Sequence, residues 1–348
     1  MSDLAHSATR LCRANGLHRT PAGWVDDEHA PVVDAATLAR LRALGIPPAW
    51  RDVWASTDPD ARVQATGVDA RGRTQYRYSA AAEADAAAHK FDHLLLFGRG
   101  LPTLRRHVGE HLSNPADGDA ARVKRVTAAA VRLLDRGLFR IGSERYARDN
   151  HTYGLTTLTA EHIRRTGDDI EFTFIGKEHL PWHVTVTDAQ VSEVIEELLL
   201  AAPSATAPLF SVAAKDGTHA VTSSVVNSYI HASTTAPATA KTFRTWGGTA
   251  TAAAISAGAA PSRPPGSRRA DLIAIEAAAQ LLGNTRAVAR QSYVHPFALD
   301  AGRAPAVVAA VSKAIAATGS ADVRGILHVD DVVIALADEL TRLSRSQV

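Results

Sequence analysis

The chain has 348 residues, 46% apolar and 21% charged, and its 38 Lys and Arg against 36 Asp and Glu leave a formal net charge of +2. That length suits two domains with cores of ordinary size, the balance is that of a folded water-soluble protein, and the small net charge excludes a molecule-wide field for nucleic acid or anionic membranes. One cysteine, Cys12, excludes an internal disulfide framework and zinc sites built from cysteine pairs, so a reducing cytoplasm is the expected setting. The N-terminus, with Asp3, His6, Arg10 and Arg13, lacks an apolar core, and the stretches near Ile273 and Val307 are too short or too charged to span a bilayer. Neither export nor membrane insertion is expected.

From Gly23 to Tyr78, short apolar segments alternate with Pro, Gly and Asp, with one helical stretch over Ala35 to Leu44, which predicts a small sheet-rich domain. Val63 to Thr66 and Thr74 to Tyr78 flank Asp69-Ala70-Arg71-Gly72, predicting a hairpin with Tyr76 and Tyr78 on one face and Gln75 and Arg77 on the other, a hydrogen-bonding surface. After Tyr78 the sequence turns Ala-rich, so the boundary falls there, giving domains over 1–80 and 81–348. Helical spacing recurs at Phe91, Leu94, Leu95 and Phe97 and from Val123 to Leu138. Between Leu158 and Asp188, Thr-, Val- and Ile-rich segments joined by Gly167-Asp168-Asp169 and Gly176-Lys177-Glu178-His179 predict three antiparallel strands. Helices are then predicted over Ala189 to Leu200, Ser223 to Ser233, Ala238 to Ala257, Asp271 to Leu282, Ala306 to Ala317 and Val329 to Leu343, with a Pro-rich loop at Ala260 to Ser267. The fold class is α+β, a sheet-rich N-terminal domain followed by a larger, mainly helical one containing a three-stranded antiparallel sheet.

Charge supplies a first functional hint, because eleven basic residues stand against six acidic ones between Arg99 and Asp149. A solvated helix face would explain that alone; phosphate binding needs chemistry at the same place. Arg140, between Phe139 and Ile141, and Arg244, between Phe243 and Trp246, are each most simply read as buried ion pairs with an acid. Lys177 in a turn is ordinarily solvated, and Tyr293 at a helix end is ordinarily half core and half wet. Taken together with Asn284, these five side chains are an inventory for attacking a phosphodiester without a metal. Two guanidinium forks bind non-bridging oxygens and neutralise the charge of a pentacoordinate transition state. A lysine among cations can protonate a departing alkoxide, and an amide can donate one neutral hydrogen bond.

Arg140-Ile141-Gly142 through Tyr146, Asn150 and Gly154 to Leu158, then Ile175-Gly176-Lys177, Lys241-Thr242-Phe243-Arg244-Thr245-Trp246-Gly247, and Gly283-Asn284-Thr285 with Tyr293, resemble in order the type IB DNA topoisomerases, in particular the poxvirus-like and bacterial subgroup. Ile46 to Trp50 and Gly72 to Tyr78 are similar to that subgroup's N-terminal domain. The resemblance implies a monomeric two-domain clamp around double-stranded DNA in the bacterial nucleoid, with no metal, ATP or other cofactor. Tyr293 would attack the scissile phosphate to form a 3′-phosphotyrosyl link, the freed 5′-hydroxyl strand would swivel to relax positive or negative supercoils, and the hydroxyl would then reseal the break. By the same resemblance, Arg140 and Arg244 bind the phosphate and Lys177 is the acid toward the 5′ oxygen. Lys241, Tyr146, Gln75 and Tyr76 match family positions that contact DNA.

Two departures qualify it. Poxvirus enzymes carry His at the place of Asn284, which can hydrogen-bond a phosphate oxygen but cannot titrate, and a lysine at the place of Ser143, so the poxvirus sequence preference does not carry over. A tyrosine recombinase is the near alternative, but its usual His three residues before the second arginine is here Lys241, and its N-terminal domain is helical. An inactive DNA-binding module is the other, and five chemically competent positions weigh against it.

Overall fold

Asp34 starts the first helix by accepting a hydrogen bond from the Thr37 amide at 2.7 Å, as an N-cap carboxylate does. This helix, α1 (Ala35–Ala43), packs on an antiparallel sheet of β1 (Gly16–Thr20), β2 (Gly23–Val25), β3 (Arg51–Ser56), β4 (Val63–Val68) and β5 (Thr74–Tyr78), in the order β2-β1-β3-β4-β5. Leu17, Leu41, Ala55 and Ala65 form the core between them. The computed structural model describes residues 16–70, 72–88, 91–114, 118–214, 217–259, 268–319 and 322–346; Cys12, Arg71 and the loop predicted at 260–267 lie outside them.

The β4-β5 hairpin has the expected register, with Thr66 opposite Tyr76 and Val68 opposite Thr74. Tyr76 and Tyr78 share a face and stack with ring centroids 6.1 Å apart, as strand alternation requires. Helix α2 (Ala80–Ala88) follows, and the chain divides into two compact units between residues 90 and 91.

The second unit begins with α3 (Asp92–Ser113), α4 (Asp119–Gly137) and α5 (Glu144–Asn150). The three predicted strands are β6 (Ile163–Thr166), β7 (Asp169–Ile175) and β8 (Pro181–Thr187), hydrogen-bonded in sequence order. Strict alternation buries Ile170, Phe172 and Phe174 from β7 with Trp182, Val184 and Val186 from β8, and Phe172 meets Phe139 edge to face at 4.9 Å. After α6 (Ala189–Ala201), a short hairpin of β9 (Ser211–Ala214) and β10 (Gly217–Ala220) appears that the periodicity does not announce. Its strands are four residues long and β10 is wholly exposed, so no buried alternation marks it.

Helices α7 (Ser223–Ser233), α8 (Ala240–Ala254), α9 (Arg268–Leu282), α10 (Arg286–Ser292), α11 (Ala298–Arg303), α12 (Pro305–Thr318), α13 (Val323–Ile326) and α14 (Asp330–Arg345) complete the unit. Helix α8 is buried at every position from Phe243 to Ala254, which its run of Gly, Ala and Thr permits. The helix predicted to Ala257 instead passes at Ile255 into a wider π turn that ends at Ala259, with Gly258 at φ 105°.

Two extended segments behind the future site cross at unusually short range. A methyl group on Gly154 would lie 2.5 Å from the Gly142 nitrogen and 2.7 Å from the Arg140 carbonyl oxygen, backbone atoms that cannot rotate away. Gly154→Ala is therefore expected to destabilise the chain by about 2 kcal/mol or more, checked by urea unfolding; a loss within experimental error would refute the close approach.

Candidate active site

Helix α4 ends where Leu138 adopts φ 52°, and the chain leaves it extended, so that Arg140 follows a fully buried Phe139. The segment is pinned by Leu155 N–H donating to the Arg140 carbonyl at 2.8 Å and by the Thr156 amide and hydroxyl donating to the Ile141 carbonyl at 2.8 and 2.9 Å. With its backbone fixed, Arg140 donates from Nη2 to Asn284 Oδ1 at 2.9 Å.

Arg244, on α8, is 2% exposed. It donates from Nη1 to the Leu138 carbonyl at 2.6 Å and from Nη2 to the Leu282 carbonyl at 2.7 Å, the carbonyls at the C-terminal ends of α4 and α9, where helix dipoles favour a cation. The ion pairs that each arginine alone would suggest are not formed: among the described residues neither guanidinium is bridged to a carboxylate. Burial lowers the pKa of Arg244 to about 10, with repulsion from Arg140 adding to the effect and the Tyr293 phenol opposing it. Burial also lowers that of Arg140, opposed by Tyr293 and Glu178. Two neighbouring cations, taken out of water without a counter-ion, constitute a place prepared for an anion.

Asn284 follows Gly283, which closes α9 at φ 57°, and precedes the N-cap Thr285 of α10. With Oδ1 accepting from Arg140, Nδ2 is the end of its amide left as a donor. Asn284 Nδ2 and Arg140 Nη1 are both buried and lack a hydrogen-bond partner. Arg244 Nε is a third such donor, and an anion at this place would satisfy them.

Tyr293 caps the C-terminus of α10, its N–H donating to the Ala289 carbonyl at 2.9 Å. Thr249 of α8 holds the turn from both sides, donating to the Tyr293 carbonyl at 3.2 Å and accepting from the His295 N–H at 3.0 Å. The Tyr293 ring centre lies 5.3 Å from the Arg244 guanidinium carbon. Arg140, Arg244, Asn284 and Tyr293, distant in sequence, are thus brought together.

Lys177 is placed differently. It lies in the turn between β7 and β8 with 69% of its side chain exposed, and its ammonium is 3.7 Å from the neighbouring Glu178 carboxylate. In the same turn, Glu178 favours the charge of Arg140. Lys241 is exposed in the first turn of α8, about one helical turn before Arg244, and Tyr146 is half-buried on α5. Gln75 and Tyr76 belong to the first unit, where Gln75 Nε2 donates to Asp69 Oδ2 at 2.9 Å and part of the expected hydrogen-bonding face is therefore used internally. Arg77 is likewise spent on the Gly45 carbonyl, at 3.0 Å, and on the Trp50 ring.

Sequence reasoning misses Trp182, whose ring centre lies 5.7 Å from the Arg140 and 5.8 Å from the Arg244 guanidinium carbons. As an inward residue of an alternating strand it reads as core, and only its position five residues after Lys177 could have flagged it. Among the described residues no three His, Cys, Asp or Glu side chains are grouped to hold a metal, and none of the helices is long and apolar enough to cross a membrane.

A phenol beside a buried and a half-buried guanidinium group, with unpartnered donors between them, is an arrangement suited to an oxyanion. Comparison with known proteins specifies it. Residues 79–302 match the family model described as eukaryotic DNA topoisomerase I, catalytic core, and residues 23–69 match that of the bacterial DNA topoisomerase IB N-terminal domain. DNA topoisomerase 1B of Acanthamoeba polyphaga mimivirus is 28% identical over 275 residues, covering 77% of this chain and 80% of that protein. The chain belongs to the type IB DNA topoisomerase family.

Two measurements follow from the site. Inorganic phosphate should stabilise the native chain against thermal unfolding, by about 2.7 kcal/mol at a hundredfold excess over its dissociation constant, and Arg140→Ala should abolish the shift; an unchanged shift in the variant would place the anion elsewhere. His295, buried beside Tyr293 and accepting the Phe297 N–H at 3.1 Å, has its pKa lowered by burial to about 4. Below the unfolded value of about 6.5 the unfolded chain binds the extra proton and the native chain does not, so stability falls with pH. The loss attributable to His295 should be roughly 2 to 3 kcal/mol between pH 7 and pH 4.5. His295→Asn, which keeps an acceptor for Phe297, should remove that slope in urea titrations; an unaltered slope would show that His295 is not its source.

Proposed function

We propose that this type IB DNA topoisomerase relaxes supercoiled DNA by tyrosine transesterification with Tyr293 as nucleophile. The observation that carries the assignment is a buried and a half-buried arginine, Arg244 and Arg140, without carboxylate partners among the described residues, Arg244 being 5.3 Å from the Tyr293 ring. Phosphate oxygens are the natural complement of these guanidinium groups and of the bare donors on Arg140 and Asn284. As the phenol oxygen attacks phosphorus, charge builds on the non-bridging oxygens, where the arginines oppose it. The phosphorus to 5′-oxygen bond breaks as Lys177 gives that oxygen a proton, leaving a 3′-phosphotyrosyl link and a free 5′-hydroxyl.

Rotation of the freed strand then removes supercoils of either sign. Attack by the 5′-hydroxyl on the phosphotyrosine reseals the strand and returns the phenol. The bond energy stays in the covalent link, so the cycle needs no ATP. Asn284 acts as a neutral donor, a role that its hydrogen bond to Arg140 supports by fixing which end of the amide is free. The two units close around duplex DNA as a monomeric clamp at the nucleoid, with Lys241 and Tyr146 near the scissile phosphate and Gln75 and Tyr76 contacting the duplex from the N-terminal sheet.

The test is relaxation of positively and negatively supercoiled plasmid in EDTA without ATP. The native chain should relax both, and Tyr293→Phe neither, while still binding DNA. Lys177→Ala should slow cleavage by 10²-fold or more, the scale of general-acid catalysis, and a 5′ leaving group of low pKa should recover most of the loss. If nothing relaxes while DNA is bound, the choice reverts to a recombinase awaiting its sites or an inactive binding module; failure of the leaving group to recover the rate would remove Lys177 as the acid.

A further inference from the structure

Two guanidinium groups that repel each other need something to hold them before a phosphate arrives. A carboxylate would do so at the cost of competing with the phosphate and repelling it. An aromatic ring attracts cations through its quadrupole and leaves their charge intact. Trp182 is placed to act in this way: its ring centre is within 6 Å of both guanidinium carbons, at 5.7 Å from Arg140 and 5.8 Å from Arg244, and the residue is 8% exposed, so the contacts are shielded from water.

The ring is itself fixed. It stacks on Phe174, its ladder partner on β7, at 6.2 Å and 11° between planes. Its edges abut two glycines so closely that an added Cβ would lie 2.7 Å from the indole at Gly176 and 3.0 Å at Gly283. Those glycines immediately precede Lys177 and Asn284. One side chain therefore contacts both arginines and the turns that carry two further site residues.

We propose that Trp182 is a positioning residue for strand cleavage: its π face keeps Arg140 and Arg244 side by side, charged and unneutralised, in readiness for the scissile phosphate. This rests on the reading of the two arginines as phosphate ligands. Trp182 touches no reacting atom, and its effect is exerted through the guanidinium groups.

The full chain carrying tryptophan of increasing fluorination at position 182 tests this with little change of shape, because fluorine withdraws electron density from the ring face. Single-turnover formation of the covalent adduct on a duplex oligonucleotide, at saturating protein, should slow stepwise by about tenfold across the series, the rate equivalent of weakening two desolvated cation–π contacts. Melting temperature and DNA affinity should stay constant. Trp182→Leu, which removes the ring, should cleave more slowly still, and a 5′ leaving group of low pKa should not restore it. A flat fluorination series would overturn the proposal, as would restoration by the leaving group, which would transfer the effect to Lys177. Absence of adduct from the native chain would instead overturn the reading of the site, and this assignment with it.

Discussion

The second unit keeps one buried and one half-buried guanidinium group next to each other with no carboxylate between them. Arg244 could not remain buried and charged without the Leu138 and Leu282 carbonyls, and those lie within reach only because α4 and α9 both end beside α8. Arg140 could not approach without the extended turn after Leu138 and the backbone crossing at Gly142 and Gly154. The three-stranded sheet then supplies the ring of Trp182 and the turn bearing Lys177. Much of the second unit can be understood as the support for this one unfavourable pairing, which a phosphate would relieve.

That arrangement explains why the site is selective in its chemistry. A cation is repelled from the centre by the two guanidinium groups. Neutral groups gain little there, because the desolvation of the arginines is offset only by an anion. The Tyr293 ring lies 5.3 Å from the Arg244 guanidinium carbon, and its backbone is clamped by Thr249 from the adjacent helix. Arg244 and the turn that bears Tyr293 are thereby both held by the same helix, α8.

How much of this was legible in the residues depended on what each one's role rests on. Periodicity located the β4-β5 hairpin, the three strands and most helices, since those depend on local alternation and on one apolar face. It missed the β9-β10 hairpin, which buries little, and ran α8 straight through its final π turn, where Gly258 changes the winding. The five chemical positions stood out by residue type and by family resemblance, yet the individual readings of Arg140 and Arg244 pointed to acid partners that the fold does not provide. Trp182 was invisible as a functional residue because its contacts join strands to helices far away in sequence, and its local pattern is that of an ordinary core position. The exposure of Lys177 and the internal bond of Gln75 to Asp69 are likewise consequences of packing that no linear pattern encodes.

The tethers of Arg244 are both main-chain oxygens, and this bears on how such a site survives divergence. A side-chain partner is lost with a single substitution, whereas a carbonyl persists through any exchange that preserves the backbone path. Positions 138 and 282 are thus free to drift among residues that fit their packing while continuing to hold the arginine. Inheritance of the anchor then lies in where two helices stop, a property that outlasts the identities of the amino acids at those stops.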